Sequence, residues 1–289
     1  MRPGWPDRHS EGKHARGARV FAGRAIWVAA AVVAVVCGVV VAVSPPAGTA
    51  QLTGAVGPLP LRAPPTPLIL VNGQSFDGTP AVGALFTLSG GQLDRHFCTA
   101  SVVDSPTRDL VITAAHCVSG KAPGQIAFVP GYHSGQEPYG VWLTSDVLSD
   151  TTWRTSADPD HDVAFLVVHQ PGSSARIQDV TGGERLGIGW PERAWVEVIG
   201  YPDGTAQPIT CQSESKPFDA RQLEFDCGGY TDGTSGGPFL GRVDRSTGAG
   251  TVIGVIGGYE QGGDISSVSY SPSFGSAVEA LYQLAVAQG

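Results

Sequence analysis

Residues 232–240 read Asp232-Gly233-Thr234-Ser235-Gly236-Gly237-Pro238-Phe239-Leu240. Glycines on both sides of one serine permit a tight turn, because glycine accepts backbone conformations that other residues resist. Such a turn exposes the hydroxyl and aims neighbouring N–H groups at one point, where they could hold a developing oxyanion. Pro238-Phe239-Leu240 then leads into an apolar strand. Upstream, Leu110-Val111-Ile112-Thr113-Ala114-Ala115-His116-Cys117 carries an apolar strand through small residues to a histidine and a cysteine. A general base needs an imidazole fixed at a solvent-reachable edge, and a strand end with an adjacent cross-link supplies one. Between these two lies Asp160-His161-Asp162-Val163-Ala164-Phe165-Leu166. There Asp162 opens an otherwise apolar strand and could accept an N–H from a histidine ring, fixing its tautomer.

The surroundings of these segments read as all-β. Short runs rich in Val, Ile, Phe and Leu recur at 81–88, 99–103, 110–113, 125–130, 163–168, 195–200, 237–240 and 251–257. Turn clusters such as Ser89-Gly90-Gly91 and Pro202-Asp203-Gly204 separate them, a pattern that predicts a sandwich or barrels. A helical period is expected only at the end, over 273–288, where Phe274, Val278, Leu281, Leu284 and Ala285 recur at three- and four-residue steps.

Composition narrows the classes. With 42% hydrophobic residues the 289-residue chain can bury a core, and 15% charged residues exclude a coiled coil. Residues 1–24 hold six basic and two acidic side chains, leaving 12 basic and 24 acidic for the other 265. So acidic a body repels polyphosphate, which argues against nucleic acid as a partner. The basic head (1–24) precedes an uncharged apolar run (25–43) of nearly bilayer length, read as a transmembrane signal anchor or a signal peptide. Positive charge stays cytoplasmic, so everything beyond is expected to be extracytoplasmic: anchored to the membrane if the segment is kept, secreted if it is cut. Residues 44–67 hold seven prolines and read as a stiff linker, and the structured body is expected over 68–289. Cys37 lies inside the apolar run. The remaining four, Cys98, Cys117, Cys211 and Cys227, allow three connectivities, of which the sequence-local pairs Cys98–Cys117 and Cys211–Cys227 are expected. An exported body can keep such bonds oxidised. The histidines show no paired zinc spacing, so no metal and no cofactor is expected.

Thr113-Ala114-Ala115-His116-Cys117, Asp162-Val163-Ala164-Phe165-Leu166 and Gly233-Thr234-Ser235-Gly236-Gly237-Pro238, in that order, resemble the chymotrypsin/trypsin-like serine peptidase superfamily. The likeness runs from about residue 81 to the end, and it is nearest in character to exported bacterial trypsin-like and V8-like peptidases. It implies two antiparallel six-stranded β-barrels (about 68–180 and 181–272), a triad in the cleft between them, and a C-terminal helix. By that resemblance Ser235 is the nucleophile, His116 the general base and then acid, and Asp162 its orienting partner. The N–H groups of Gly233 and Ser235 would form the oxyanion hole. Cys98 and Cys117 match a disulfide bracing the histidine loop, and the strand edge leading to Gly257, Gly258 and Tyr259 would bind substrate backbone.

Departures from the family pattern limit what carries over. Thr234 stands where animal enzymes have an aspartate that pairs with a new N-terminal amine, so that activation switch is absent. Gly229 replaces the aspartate that selects basic side chains in trypsin, and Ile256 replaces a histidine used by some glutamate-specific relatives. The acidic Glu260 and Asp264 follow in the next loop, and the Cys211–Cys227 bridge could brace a pocket wall or staple the second barrel. The expected function is an exported serine endopeptidase acting on polypeptides through an acyl-enzyme. The alternatives are a catalytically silent binding module of the same fold, or another acyl hydrolase such as an esterase. Gly233-Thr234-Ser235-Gly236-Gly237 fits the esterase pattern Gly-x-Ser-x-Gly, but it leads into a strand and follows the histidine.

Overall fold

The computed structural model describes residues 71–289; the basic head, the apolar run and the whole proline-rich linker lie outside the described residues. Apolar side chains at alternate positions build a first closed barrel from β2 (Val82–Ser89), β3 (Gln92–Val102), β4 (Leu110–Thr113), β5 (Ile126–Pro130), β6 (Trp142–Ser149) and β7 (Ala164–His169). Every neighbouring pair is antiparallel, in the closed order β2-β3-β4-β7-β6-β5. Its interior is filled by Leu85, Val102, Val111, Phe128, Trp142 and Leu166.

The second half is an eight-stranded sheet. It comprises β8 (Arg185–Leu186), β9 (Ala194–Gly200), β10 (Ile209–Pro217), β11 (Gln222–Asp226), β12 (Pro238–Gly241), β13 (Thr251–Val255) and β14 (Val268–Pro272), in the order β14-β11-β10-β9-β12-β13-β8. The short β1 (Gln74–Ser75) pairs with β10, so the first strand of the body belongs to the second half. Two six-stranded barrels were expected. The first is closed as such, whereas the second is an open sheet whose end strand β14 meets β13 and the residues just after it through single bonds. Val255 N–H donates to Ser271 Oγ (2.9 Å) and Gly257 N–H to the Tyr270 carbonyl (3.0 Å). The architecture is that of a chymotrypsin-like double barrel.

The C-terminal helix spans Ser276–Val286, shorter than the 273–288 period suggests. Its start is delayed because Ser273 N–H still donates to the Arg221 carbonyl and Gly275 remains extended. Val278, Leu281 and Ala285 are buried in one core with Phe165 where the helix packs on β6 and β7, while Leu284 faces solvent. Each fully buried aliphatic side chain of this kind contributes about 1.5–3 kcal/mol. Three short helices that the sequence reading did not include also form: α1 (Ala115–Val118), α2 (Thr151–Ser156) and α3 (Ile177–Thr181). They are too short to be stable alone and exist because the barrel loops hold them.

Where the chain passes from the first half to the second, Glu184 N–H donates to the Val102 carbonyl and its own carbonyl accepts from Asp104 N–H. Its side chain is fully buried; one oxygen accepts from Gly250 N–H and the other has no partner among the described residues. Burial pushes the carboxyl up to about 7, against the relief from Gly250, with the Asp104 and Glu197 carboxylates adding to it. Because the folded state holds this proton more tightly than the unfolded chain, the group costs stability progressively as pH rises from about 4.5 to 7. Glu184→Gln is therefore expected to stabilise by roughly 2 kcal/mol more at pH 8 than at pH 5, read from urea unfolding curves at the two pH values. Equal effects at both would contradict it.

Candidate active site

His116 is placed by β4, a strand with all four residues buried, which delivers the chain to extended Ala114 and then to the one-turn α1. Cys117, in the same turn, is joined to Cys98 of β3, so the histidine stands between a strand end and a covalent tie. Ser119 Oγ–H donates to the Ala115 carbonyl and Lys121 Nζ to the Cys117 carbonyl, closing the turn's far end. Cys98, His116 and Cys117 come close enough to suggest a metal cluster, but the two sulfurs are bonded to each other and are no thiolate donors.

Asp162 follows the turn Pro159–His161 and lies two residues before the buried start of β7. Its carboxylate has no exposure and accepts three N–H groups. Oδ1 accepts from His116 N–H (2.8 Å); Oδ2 accepts from His116 Nδ1 (2.7 Å) and from Gly258 N–H (2.9 Å). A carboxylate on Nδ1 requires the proton on that nitrogen, which leaves Nε2 of the neutral ring with its lone pair free. Gly257 makes this approach possible: a Cβ there would lie 3.0 Å from Asp162 Oδ2 and 3.2 Å from Ala114 Cβ.

Ser235 sits on the turn that the glycines predicted, with Gly233 at φ 89° and Gly236 at φ 80°. Within it, Thr234 N–H donates to the Thr231 carbonyl, Gly236 N–H to Ile256 and Gly237 N–H to Thr234. The N–H groups of Gly233 and Ser235 have no acceptor among the described residues. Thr234 Oγ1 turns back to the Thr231 carbonyl (2.7 Å) and is buried. Ser235 and His116 line one cleft of about 1090 Å³, although no hydrogen bond joins Ser235 Oγ to the His116 ring.

The turn is locked to the first barrel by a residue the sequence reading did not single out. Thr99 N–H donates to the Ser235 carbonyl (2.7 Å), and Thr99 Oγ1–H donates to the Gly233 carbonyl (3.0 Å) while accepting from Tyr201 N–H (2.9 Å). Thr113 Oγ1–H in turn holds the Thr99 carbonyl (2.8 Å). A threonine inside a strand carries no sequence signal of such a role, since its partners lie more than 100 residues away.

The expected substrate edge looks different in the structure. The N–H groups of Gly257, Gly258 and Tyr259 are spent on the Tyr270 carbonyl, Asp162 and Gln222 Oε1. These three residues do not line the cleft, whereas Ile256 and the following residues from Glu260 to Ser266 do. The physical reason is the backbone. Gly258, Glu260, Gln261, Gly262 and Gly263 all have positive φ, so the segment turns at Tyr259–Gly262 instead of continuing as an extended strand. Four carboxyl-bearing residues, Asp203, Asp232, Glu260 and Asp264, line the cleft against Lys121. Burial holds the Lys121 ammonium below the usual lysine range, and the neighbouring Glu260 holds the Tyr259 phenol above its own. Cys211 and Cys227 form the second disulfide and lie buried among Val196, Phe225 and Phe239, away from the cleft lining. That bridge staples the second sheet.

Comparisons with known proteins give the family and the fold. A family model described as a trypsin-like peptidase domain matches residues 98–255, more than half of the chain. The chain belongs to the trypsin-like peptidase family. Among solved structures, the protease Anisep from Arthrobacter nicotinovorans is similar at a TM-score of 0.62 and 24% identity, covering 74% of this chain and 99% of its own. A thermostable serine protease, AL20, from an extremophilic microorganism gives 0.61 and 24%, covering 73% and 99%. A Glu endopeptidase gives 0.57 and 14%, covering 75% and 97%. No curated protein matches the sequence.

Gly236 offers a direct test of how tightly the serine turn is held. A Cβ there would collide with Thr113 Oγ1 and the Thr99 carbonyl, at a φ that L-residues resist. Gly236→Ala is expected to lower stability by about 2 kcal/mol or more in chemical unfolding. A wild-type midpoint would show the turn to be free of the first barrel.

Proposed function

We propose that the chain is a serine-type endopeptidase that cleaves polypeptides through His116, Asp162 and Ser235. The observation that carries this reading is the buried Asp162–His116 pair at 2.7 Å, facing the same cleft as Ser235 and its two uncommitted N–H groups. In the proposed reaction Ser235 Oγ attacks the scissile carbonyl as its proton passes to His116 Nε2, and Asp162 stabilises the imidazolium formed. The Gly233 and Ser235 N–H groups receive the oxyanion, a contribution of about 3–4 kcal/mol for one such donor. Collapse breaks the C–N bond, the amine leaves with the proton from His116, and water attacking by the same route releases the acid and restores the serine. Placement outside the cytoplasm, anchored through residues 25–43 or secreted, is part of the proposal. It is supported by the two disulfides, which an oxidising compartment preserves. Among the described residues no helix is long and apolar enough to cross a membrane.

Full-length oxidised protein and its Ser235→Ala variant, treated with a fluorophosphonate probe, test the assignment. Labelling and peptide cleavage are expected for the wild type only, with the variant losing about 10³-fold or more in kcat. Equal cleavage by both would remove Ser235 from the mechanism; a folded wild type that neither labels nor cleaves would favour a silent binding module.

The four carboxylates of the cleft bear on specificity. One structural neighbour is a Glu endopeptidase, but an acidic side chain would enter this cleft against like charge. Matched fluorogenic peptides with Lys or Glu before the scissile bond should differ by about tenfold or more in kcat/KM, in favour of Lys. Faster cleavage after Glu would refute this electrostatic reading.

A further inference from the structure

Outside the triad and the serine turn, one buried amide touches the segments on both sides of Asp162. Gln222 opens β11 and is only 2% exposed. Its Nε2–H donates to Asp160 Oδ1 (2.7 Å), and its Oε1 accepts from Tyr259 N–H (3.2 Å). The chemistry fixes the amide's orientation: a carboxylate on one side can only accept, and a backbone N–H on the other can only donate. Asp160 is held at its second oxygen by Arg221 Nε (2.6 Å) and at its N–H by Asp158 Oδ1 (3.0 Å).

These bonds close a ring through the site. Asp160 lies two residues before Asp162 in the same turn. Tyr259 directly follows Gly258, whose N–H rests on Asp162 Oδ2. Starting at Asp162, the ring runs through Gly258, Tyr259, Gln222 and Asp160 and returns along the chain to Asp162. It crosses from the first barrel to the second and back. Gly258 has φ 79° and would drive a Cβ into Gln222 Oε1, so the backbone here is shaped around the amide.

We propose that Gln222 is a positioning residue for the reaction. By pinning Tyr259 N–H and Asp160 together, it keeps Gly258 N–H on Asp162 Oδ2 and so fixes the carboxylate that orients His116. The inference rests on the triad assignment made above. Gln222 touches neither substrate nor the reacting atoms; it acts through the main chain at Gly258 and the turn at Asp160. Deleting its donor would take from Asp160 Oδ1, on a largely buried side chain, the partner Gln222 supplies and release the segment that covers Asp162.

Reversing the polarity of the ring tests this. In Gln222→Glu, two carboxylates face one another where a donor met an acceptor. The double variant Gln222→Glu with Asp160→Asn restores a donor to the ring. Its new amide N–H at position 160 can donate to the new carboxylate at position 222, and the amide oxygen can accept from Arg221 Nε. The carboxylate at position 222 can still accept from Tyr259 N–H. Measured on the full-length oxidised chain, the single variant is expected to lose about tenfold or more in kcat with KM changed less than about threefold. The double variant should recover to within about fivefold of wild type. Melting temperatures read alongside separate the two roles. A merely structural glutamine would give a double variant whose melting temperature recovers while kcat stays low, or a folded single variant with wild-type kcat, and either result overturns the proposal. Should the single variant fail to fold, the double decides: recovery within fivefold supports the ring, and a larger deficit in a folded protein overturns it. Fluorophosphonate labelling of the wild type in the same series isolates the underlying assignment, since an unlabelled wild type overturns the triad itself, whatever the variants do.

Discussion

A fully buried carboxylate is among the costliest groups a fold can contain, and Asp162 is tolerable only because three N–H donors converge on it. Two come from His116 and one from Gly258, so the two halves of the molecule share the work of solvating one charge. Much of the local sequence follows from that requirement. Gly257 must lack a side chain for the backbone to reach the carboxylate, and Gly258 must adopt a positive φ to present its N–H. The Cys98–Cys117 bridge then keeps the histidine turn from drifting away from its partner.

A second clasp, at Thr99, does for the serine turn what Asp162 does for the histidine. Its backbone N–H and hydroxyl hold the Ser235 and Gly233 carbonyls, while the Gly236 and Thr234 N–H groups of the same two peptide planes donate to the Ile256 and Thr231 carbonyls. With both planes tied at each end the turn keeps one shape, and the Gly233 and Ser235 N–H groups have no acceptor among the described residues. The neighbouring solved structures share this architecture at 24% identity or less. Few positions are needed to specify the backbone; the chemistry resides in the small set that meets at the interface.

What could be read in the sequence, and what could not, divides along physical lines. The strand over residues 110–113 was legible to the residue because Leu110, Val111 and Ile112 are buried on both faces, and a barrel strand with no solvent side has an unmistakable apolar run. The serine turn was legible through its glycines. By contrast, β10 and β14 passed unmarked, because Ser215, Ser269 and Ser271 occupy buried positions where an apolar residue is the usual signal. Ser215 and Ser271 satisfy their hydroxyls on backbone carbonyls, a compensation visible only in three dimensions. The incomplete closure of the second barrel was hidden for the same reason. Thr99 and Gln222 were out of reach because their roles rest on partners distant in sequence, and no local pattern distinguishes them from ordinary strand residues. The course of the chain beyond Gly258 was not legible, since positive φ at Glu260 and Gln261 is not announced by their side chains.

The Thr99 clasp also bears on how such a molecule survives its own trade. A peptidase destroys chains that are locally open, and the most abundant chain near any copy in a concentrated sample is another copy. Because Thr99 of the first barrel is bonded to the main chain of the serine turn in the second, neither half can loosen without disassembling the proposed catalytic centre. Opening events large enough to offer a cleavable segment across this interface are then events in which the enzyme has switched itself off. Self-digestion becomes an encounter between one intact and one unfolded molecule, governed by the small population of the latter.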